Sequence, residues 1–127
     1  MKTIINTPNA PAPIGPYSQA VVAGNFVFVS GQVAISPVTG ELVLDDIKTE
    51  TKQVMENIKA ILVEAGIDFA DIVKTSIFLK DMQNFAQVNE VYGAYFKDHF
   101  PARETVQVAG LPKNVNVEIT VTAVKTH

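Results

Sequence analysis

The chain has 127 residues, 47% of them hydrophobic and 18% charged, which suits one compact domain and excludes a disordered one. Its net charge is −3 and its nine lysines are scattered, so no electrostatic footprint for nucleic acid is present. The lack of cysteine excludes disulfides and thiol chemistry, and His99 and His127 without clustered ligand spacing argue against a zinc or iron site.

Thr3 to Gly40 contains no charged residue over 38 positions. Prolines at 8, 11, 13, 16 and 37 rule out a transmembrane helix there, because each interior proline breaks a helical ladder. A soluble monomer normally dresses its surface in charge, so the stretch predicts a surface covered by another copy of the chain. The N-terminus lacks a basic region followed by an apolar run, and the expected location is the cytoplasm.

In chain order, Lys2 to Asn6 predicts a short edge strand, and the proline-rich run from Pro8 to Pro16 an extended loop. Tyr17–Val22 and Asn25–Ser30 predict a hairpin about Ala23-Gly24-Asn25. Its second strand has large apolar groups on both faces, Phe26 and Phe28 against Val27 and Val29, and is expected to be central and covered on both sides. Ile47, Val54, Met55, Ile58, Ile61, Leu62 and Ala65 lie on one helical stripe between about Asp46 and Ala65. Asp45 or Asp46 would cap its start and Gly66 its end. Ile72–Lys80 alternates as a strand. A second helix is expected over about Asn84–Asp98, with Asn84 and Gln87 as a capping box and Phe85, Val88, Tyr92, Tyr95 and Phe96 as its apolar stripe.

The last quarter, Pro101–Lys125, predicts a β-hairpin turning at Gly110–Asn114. Val106 and Val108 alternate with Thr105 and Gln107, and Val117, Ile119 and Val121 with Glu118, Thr120 and Thr122. If both apolar faces meet one core, Arg103 and Glu118 project together from the opposite, polar face. Such a pair can be a surface ion pair of small energetic effect. A charge at Glu118, mid-strand among Val117, Ile119 and Val121, favours a functional role. Arg103 is the one arginine, and its planar fork matches a carboxylate bidentately as lysine cannot.

The predicted order, β-β-β-α-β-α-β-β, gives a two-layer α+β domain with a mostly antiparallel sheet and both helices on one face. The opposite sheet face is then left for water or another subunit. Ser18, Ser30 and Ser36 lack a plausible triad, and no Gly-rich phosphate loop or repeat is present.

Several stretches together resemble the reactive intermediate deaminase (Rid, YjgF-type) family. They are Ala12–Gln19, Ser30–Gln32, Pro37–Glu41, Val88–Tyr92 with Tyr95-Phe96, Phe100–Arg103, and Leu111–Lys113 followed by Val117–Ile119. The resemblance implies a chorismate-mutase-like fold assembled as a homotrimer with clefts between subunits. It implies hydrolysis of reactive enamines and imines, such as 2-aminoacrylate and 2-iminobutyrate, to 2-keto acids and ammonia, with no cofactor or metal. By the same resemblance Arg103 holds the substrate carboxylate and Glu118 is the general base. Tyr17, Ser30, Gly31, Asn89 and the backbone N–H of Thr105 line the cleft, with Tyr17 contributed by a neighbouring subunit. Many members carry cysteine where this chain has Thr105, which leaves substrate preference open. Two further expectations stand beside the deaminase: a non-catalytic trimer binding small carboxylates as a regulator, and RNA cleavage or translation inhibition, against which the acidic balance and single arginine argue.

Overall fold

The structure, a computed structural model, describes residues 1–126. His127, considered above as a metal ligand, lies outside the described residues. The elements are β1 (Lys2–Ile5), β2 (Ala20–Ala23), β3 (Phe26–Gln32), α1 (Ile47–Glu64), β4 (Ile72–Leu79), α2 (Phe85–Gly93), β5 (Ala102–Gln107) and β6 (Val117–Val124). They form one six-stranded sheet of order β1-β2-β3-β6-β4-β5, antiparallel throughout except for the parallel pair β4–β5. Both helices lie against one face of it, and the core sits between them and the sheet. This is the two-layer α+β arrangement expected.

The first helix forms as its stripe predicts. Val54, Met55, Ile58, Ile61, Leu62 and Ala65 are buried, with Ile47 partly so. Asp46 accepts a hydrogen bond from the N–H of Thr49 at 2.8 Å, satisfying one of the orphan donors of the first turn. Gly66, at φ +80°, takes the left-handed position that ends the helix. Three polar residues share the buried face. Asn57 donates to the carbonyls of Val33 and Ile35, Thr51 to that of Ile47, and Glu50 accepts from both the backbone and side-chain nitrogens of Asn116. Each is hydrogen-bonded, as burial requires.

Four expectations are corrected. The C-terminal hairpin does not form, because β4 lies between β5 and β6. β5 instead runs parallel to β4, and the crossover that a parallel pair needs is the segment carrying α2. The second helix ends at Gly93, not Asp98. Beyond it Ala94, Tyr95 and Phe96 bond back three residues, and the rings of Tyr95 and Phe96 pack on Phe69 at 5.1 and 5.6 Å. Asn84 makes no side-chain cap; Asp81 caps the preceding 3₁₀ turn at Gln83. In place of a strand from Tyr17, pairing begins at Ala20. Gln19 turns inward, its amide accepting from the N–H of Thr7 and donating to the carbonyls of Thr7, Ala10 and Pro11. That single amide satisfies a loop whose prolines cannot form a ladder.

β3 is central, but only its valine side is covered. Val27 and Val29 are buried, whereas Phe26 and Phe28 remain 47% and 48% exposed and stack on each other at 5.9 Å. The open face continues through Ile4, Val21, Thr122 and Lys74, register partners of Phe28 across the sheet.

Candidate active site

Cross-strand register fixes which face each candidate residue occupies. Arg103 stands beside Thr75, which stands beside Val121; both neighbours are buried under the helices. Arg103 therefore projects on the helix side. Glu118 stands beside Phe78 and Val106 on the open side. The expectation that the two project from one polar face is thus overturned. The parity argument took Val106 as a core residue, but β5 is an edge strand, and Val106 is exposed. Two polar residues on the inner side of β5 find partners there: Asn89 of α2 accepts from Arg103, and the N–H of Met82, in the 3₁₀ turn before α2, donates to Gln107.

Around Arg103, α2 supplies Phe85, Asn89 and Tyr92 from one helical face. The Nη1 of the guanidinium donates to Asn89 Oδ1 at 2.6 Å, and its carbon lies 5.6 Å from the Phe85 ring and 5.3 Å from the Tyr92 ring. Tyr92 is fixed in turn by donating to Thr75 Oγ1 at 2.9 Å, and Thr75 is the cross-strand neighbour of Arg103. Burial pushes the Tyr92 phenol above its ordinary pKa, so it stays a neutral donor. Ion pairs among the described residues join Lys48 to Glu90, Lys74 to Glu104 and His99 to Asp98, and none involves Arg103. A positive charge held by neutral partners at the mouth of a cavity has the chemistry to receive an anion. The cavity, about 360 Å3, is lined by Arg103, Asn89, Tyr92, Gly93, Phe100 and Pro101. Thr105 lies two residues along the same side; its hydroxyl is buried and has no partner among the described residues.

The second group lies on the open face, at a bulge. Pairing of β3 with β6 skips between Val29 and Gln32, so Ser30 and Gly31 together oppose one residue of β6. The bulge presses Gly31 onto the Glu118 carboxyl, and a Cβ at position 31 would lie 2.5 Å from Glu118 Oε2 and 3.1 Å from Thr120 Oγ1. Only a glycine leaves Glu118 its present position. Desolvation there raises the Glu118 pKa above that of an ordinary glutamate. Ser30 donates to the Ser18 carbonyl at 2.6 Å, and Tyr17, about half exposed, accepts from the N–H of Ile14. A small cleft of about 30 Å3 between the proline-rich loop and the bulge includes Tyr17, Gln19 and Gly31 in its lining.

The residues singled out in the sequence thus fall into two groups. Arg103, Asn89 and Thr105 share the helix side of β4–β5, and Tyr17, Ser30, Gly31 and Glu118 the loop and open side of β3–β6. Phe85 and Tyr92 were read only as an apolar stripe; their spacing from Asn89, four before and three after, was the signal that they flank whatever Asn89 touches. Among the described residues no group of three or more histidines, cysteines or carboxylates is arranged to hold a metal. No helix among them is long and apolar enough to cross a membrane.

Comparison with known proteins adds a family. The model of the family described as endoribonuclease L-PSP matches residues 7–125. A RutC family protein of Pyrococcus horikoshii is 56% identical over 98% of this chain and 99% of its own. The 2-iminobutanoate/2-iminopropanoate deaminase of Escherichia coli is 48% identical over 98% and 99%. Among solved structures, a Rid family protein of unknown function from Yersinia pestis superposes with a TM-score of 0.95 at 50% identity, covering 98% and 99% of the two chains. Escherichia coli TdcF with bound serine superposes at 0.92 with 45% identity, covering 98% and 99%.

Proposed function

The chain belongs to the endoribonuclease L-PSP family, the Rid or YjgF proteins, and on that footing we propose that it hydrolyses reactive 2-imino and enamine acids to 2-keto acids and ammonia. Substrates of this class include 2-aminoacrylate and 2-iminobutyrate. The observation that carries the reading is the Arg103 receptor, a preorganised guanidinium beside a cavity and without a counter-ion among the described residues. Arg103 takes the substrate carboxylate through a bidentate pair of hydrogen bonds, which orients the imine carbon. Glu118, whose raised pKa makes it a stronger base than an exposed glutamate, removes a proton from water as the oxygen bonds to that carbon. The same carboxyl then returns that proton to nitrogen and, as a carboxylate again, takes up the hydroxyl proton while the carbon–nitrogen bond breaks, so that ammonia leaves and the carbonyl forms. The protonated imine is electrophilic already, so the reaction as written needs neither a covalent nucleophile nor a cofactor. Support comes from the relative named for this reaction and from the serine, an amino acid carboxylate, held by another.

Because Arg103 and Glu118 lie on opposite faces of one sheet, a small substrate cannot reach both within a protomer. The site is complete only when Glu118, Gly31, Ser30 and Tyr17 of one subunit meet Arg103, Asn89 and Thr105 of another. The uncovered Phe26–Phe28 face is the surface for that assembly, a homotrimer in the cytoplasm. The test is complementation. Arg103→Ala and Glu118→Gln are each expected to lose nearly all turnover of 2-iminobutyrate, generated in situ and competed with semicarbazide. Refolded together, they should regain activity at interfaces pairing an intact Arg103 with an intact Glu118. Failure to regain it, with wild type active, refutes the shared site.

A second reading, a carboxylate-binding regulator without turnover, is favoured by the serine in TdcF. Tight keto-acid binding with no acceleration of imine loss would select it.

A further inference from the structure

The cavity beside Arg103 is larger and more apolar than a four-carbon imino acid requires. Of its six lining residues Asn89 and Arg103 are bonded to each other, and the one other polar group, the Tyr92 hydroxyl, is bonded to Thr75. The remainder of the wall is Tyr92, Gly93, Phe100 and Pro101. Its two aromatic residues are joined behind the wall by Phe96, in tilted ring contacts: the Tyr92 ring lies 4.9 Å from that of Phe96, which lies 5.9 Å from Phe100. Tyr92 is pinned at its far end by the hydrogen bond to Thr75, so that side of the wall is set before any ligand arrives. Phe100 nevertheless remains 62% exposed, an apolar surface that a bound side chain would cover.

Gly93 is the last residue of α2, and a Cβ there would meet nothing within 4 Å. The absent side chain leaves open the floor next to Tyr92. An ethyl group, the side chain of 2-iminobutyrate, fills little of a volume of about 360 Å3.

We propose that this cavity selects 2-imino acids with apolar side chains longer than ethyl, seated against Tyr92, Gly93, Phe100 and Pro101. The inference rests on the reading that Arg103 anchors the substrate carboxylate, which fixes where the side chain begins. Each added methylene that leaves water for this wall raises kcat/KM about fourfold, the value of burying one such group.

The experiment is a homologous series. Imines are generated by an L-amino acid oxidase from 2-aminobutyrate, norvaline and norleucine, and their hydrolysis is competed against semicarbazide. The expected result is a rise of about fourfold per methylene from the ethyl to the butyl side chain. Gly93→Leu, which places a side chain in open space at a helical position, should cut the norleucine-to-aminobutyrate ratio about tenfold, close to the gain of two methylenes. A flat or falling series with the four-carbon imine still hydrolysed overturns the specificity and leaves the deaminase standing. No turnover of any imine overturns the deaminase reading instead. Calorimetry with the matching 2-keto acids then decides the pocket by itself: affinity that grows with chain length and is lost in Gly93→Leu upholds it, and affinity indifferent to length removes it.

Discussion

Gly31→Ala tests the placement of Glu118 with the smallest change available, one methyl group. The new Cβ would sit 2.5 Å from Glu118 Oε2, 2.9 Å from its Cδ and 3.1 Å from Thr120 Oγ1. Carbon and oxygen without a bond sit more than 3 Å apart, so the carboxyl must retreat by about 1 Å. Gly31 has no positive φ, and alanine adopts its backbone without strain. The atom that must move is the end of a flexible side chain, so the cost is that of an off-rotamer torsion, about 0.5–1.5 kcal/mol. Stability should fall by no more than that in urea titrations. A displacement of about 1 Å in a group that must meet a reacting water costs on the order of 10²-fold in rate. The expected outcome is therefore a kcat about a hundredfold lower, with binding of 2-ketobutyrate, measured by calorimetry, retained through Arg103. Wild-type turnover in Gly31→Ala would mean that the Glu118 carboxyl has no part in the reaction at this position.

Three further outcomes follow from the same geometry. Burial raises the Glu118 pKa, so the folded state holds the protonated form more tightly than the unfolded chain does, and this contribution to stability weakens as pH rises through the folded pKa. Glu118→Gln should therefore raise the melting temperature at pH 7 relative to wild type, with the difference closing below the ordinary glutamate pKa of 4.5, and the acid limb of wild-type kcat/KM should lie above that value. Glu50→Ala leaves the backbone and side-chain nitrogens of Asn116 without their acceptor; both donors are only partly buried, so at the lower end of the orphan penalty, about 1 kcal/mol each, denaturant unfolding should show a loss of about 2 kcal/mol. Phe28→Glu places a charge in the middle of the open face and should give a folded monomer by sedimentation velocity, with imine hydrolysis lost because the two halves of the site separate.

Much of this protein follows from local pattern. The stripe from Val54 to Ala65 and the alternation of Val117, Ile119 and Val121 each report a face buried against one core, and those faces are buried as expected. The Asp46 cap and the Gly66 stop depend on backbone geometry within a few residues, and they too could be read in the sequence. Arg103, Glu118, Gly31 and Asn89 stood out through residue type and through family resemblance. Their mutual arrangement did not. A hairpin for β5 and β6 satisfied every local rule, yet β4 pairs with both strands, and strand order is a choice among partners distant in the sequence that no alternation encodes. With the hairpin went the parity that set Arg103 beside Glu118. On an edge strand, α2 can satisfy an inward arginine through Asn89 and two rings, so the polar side of β5 is its inner side. The sequence by itself determined which residues stand out as candidates for chemistry and which side of β6 and which stripe of α1 are apolar, because both are properties of side chains and their immediate spacing. Tertiary structure alone decided that the cation and the carboxylate lie on opposite faces of one sheet, because that depends on which strand lies between them.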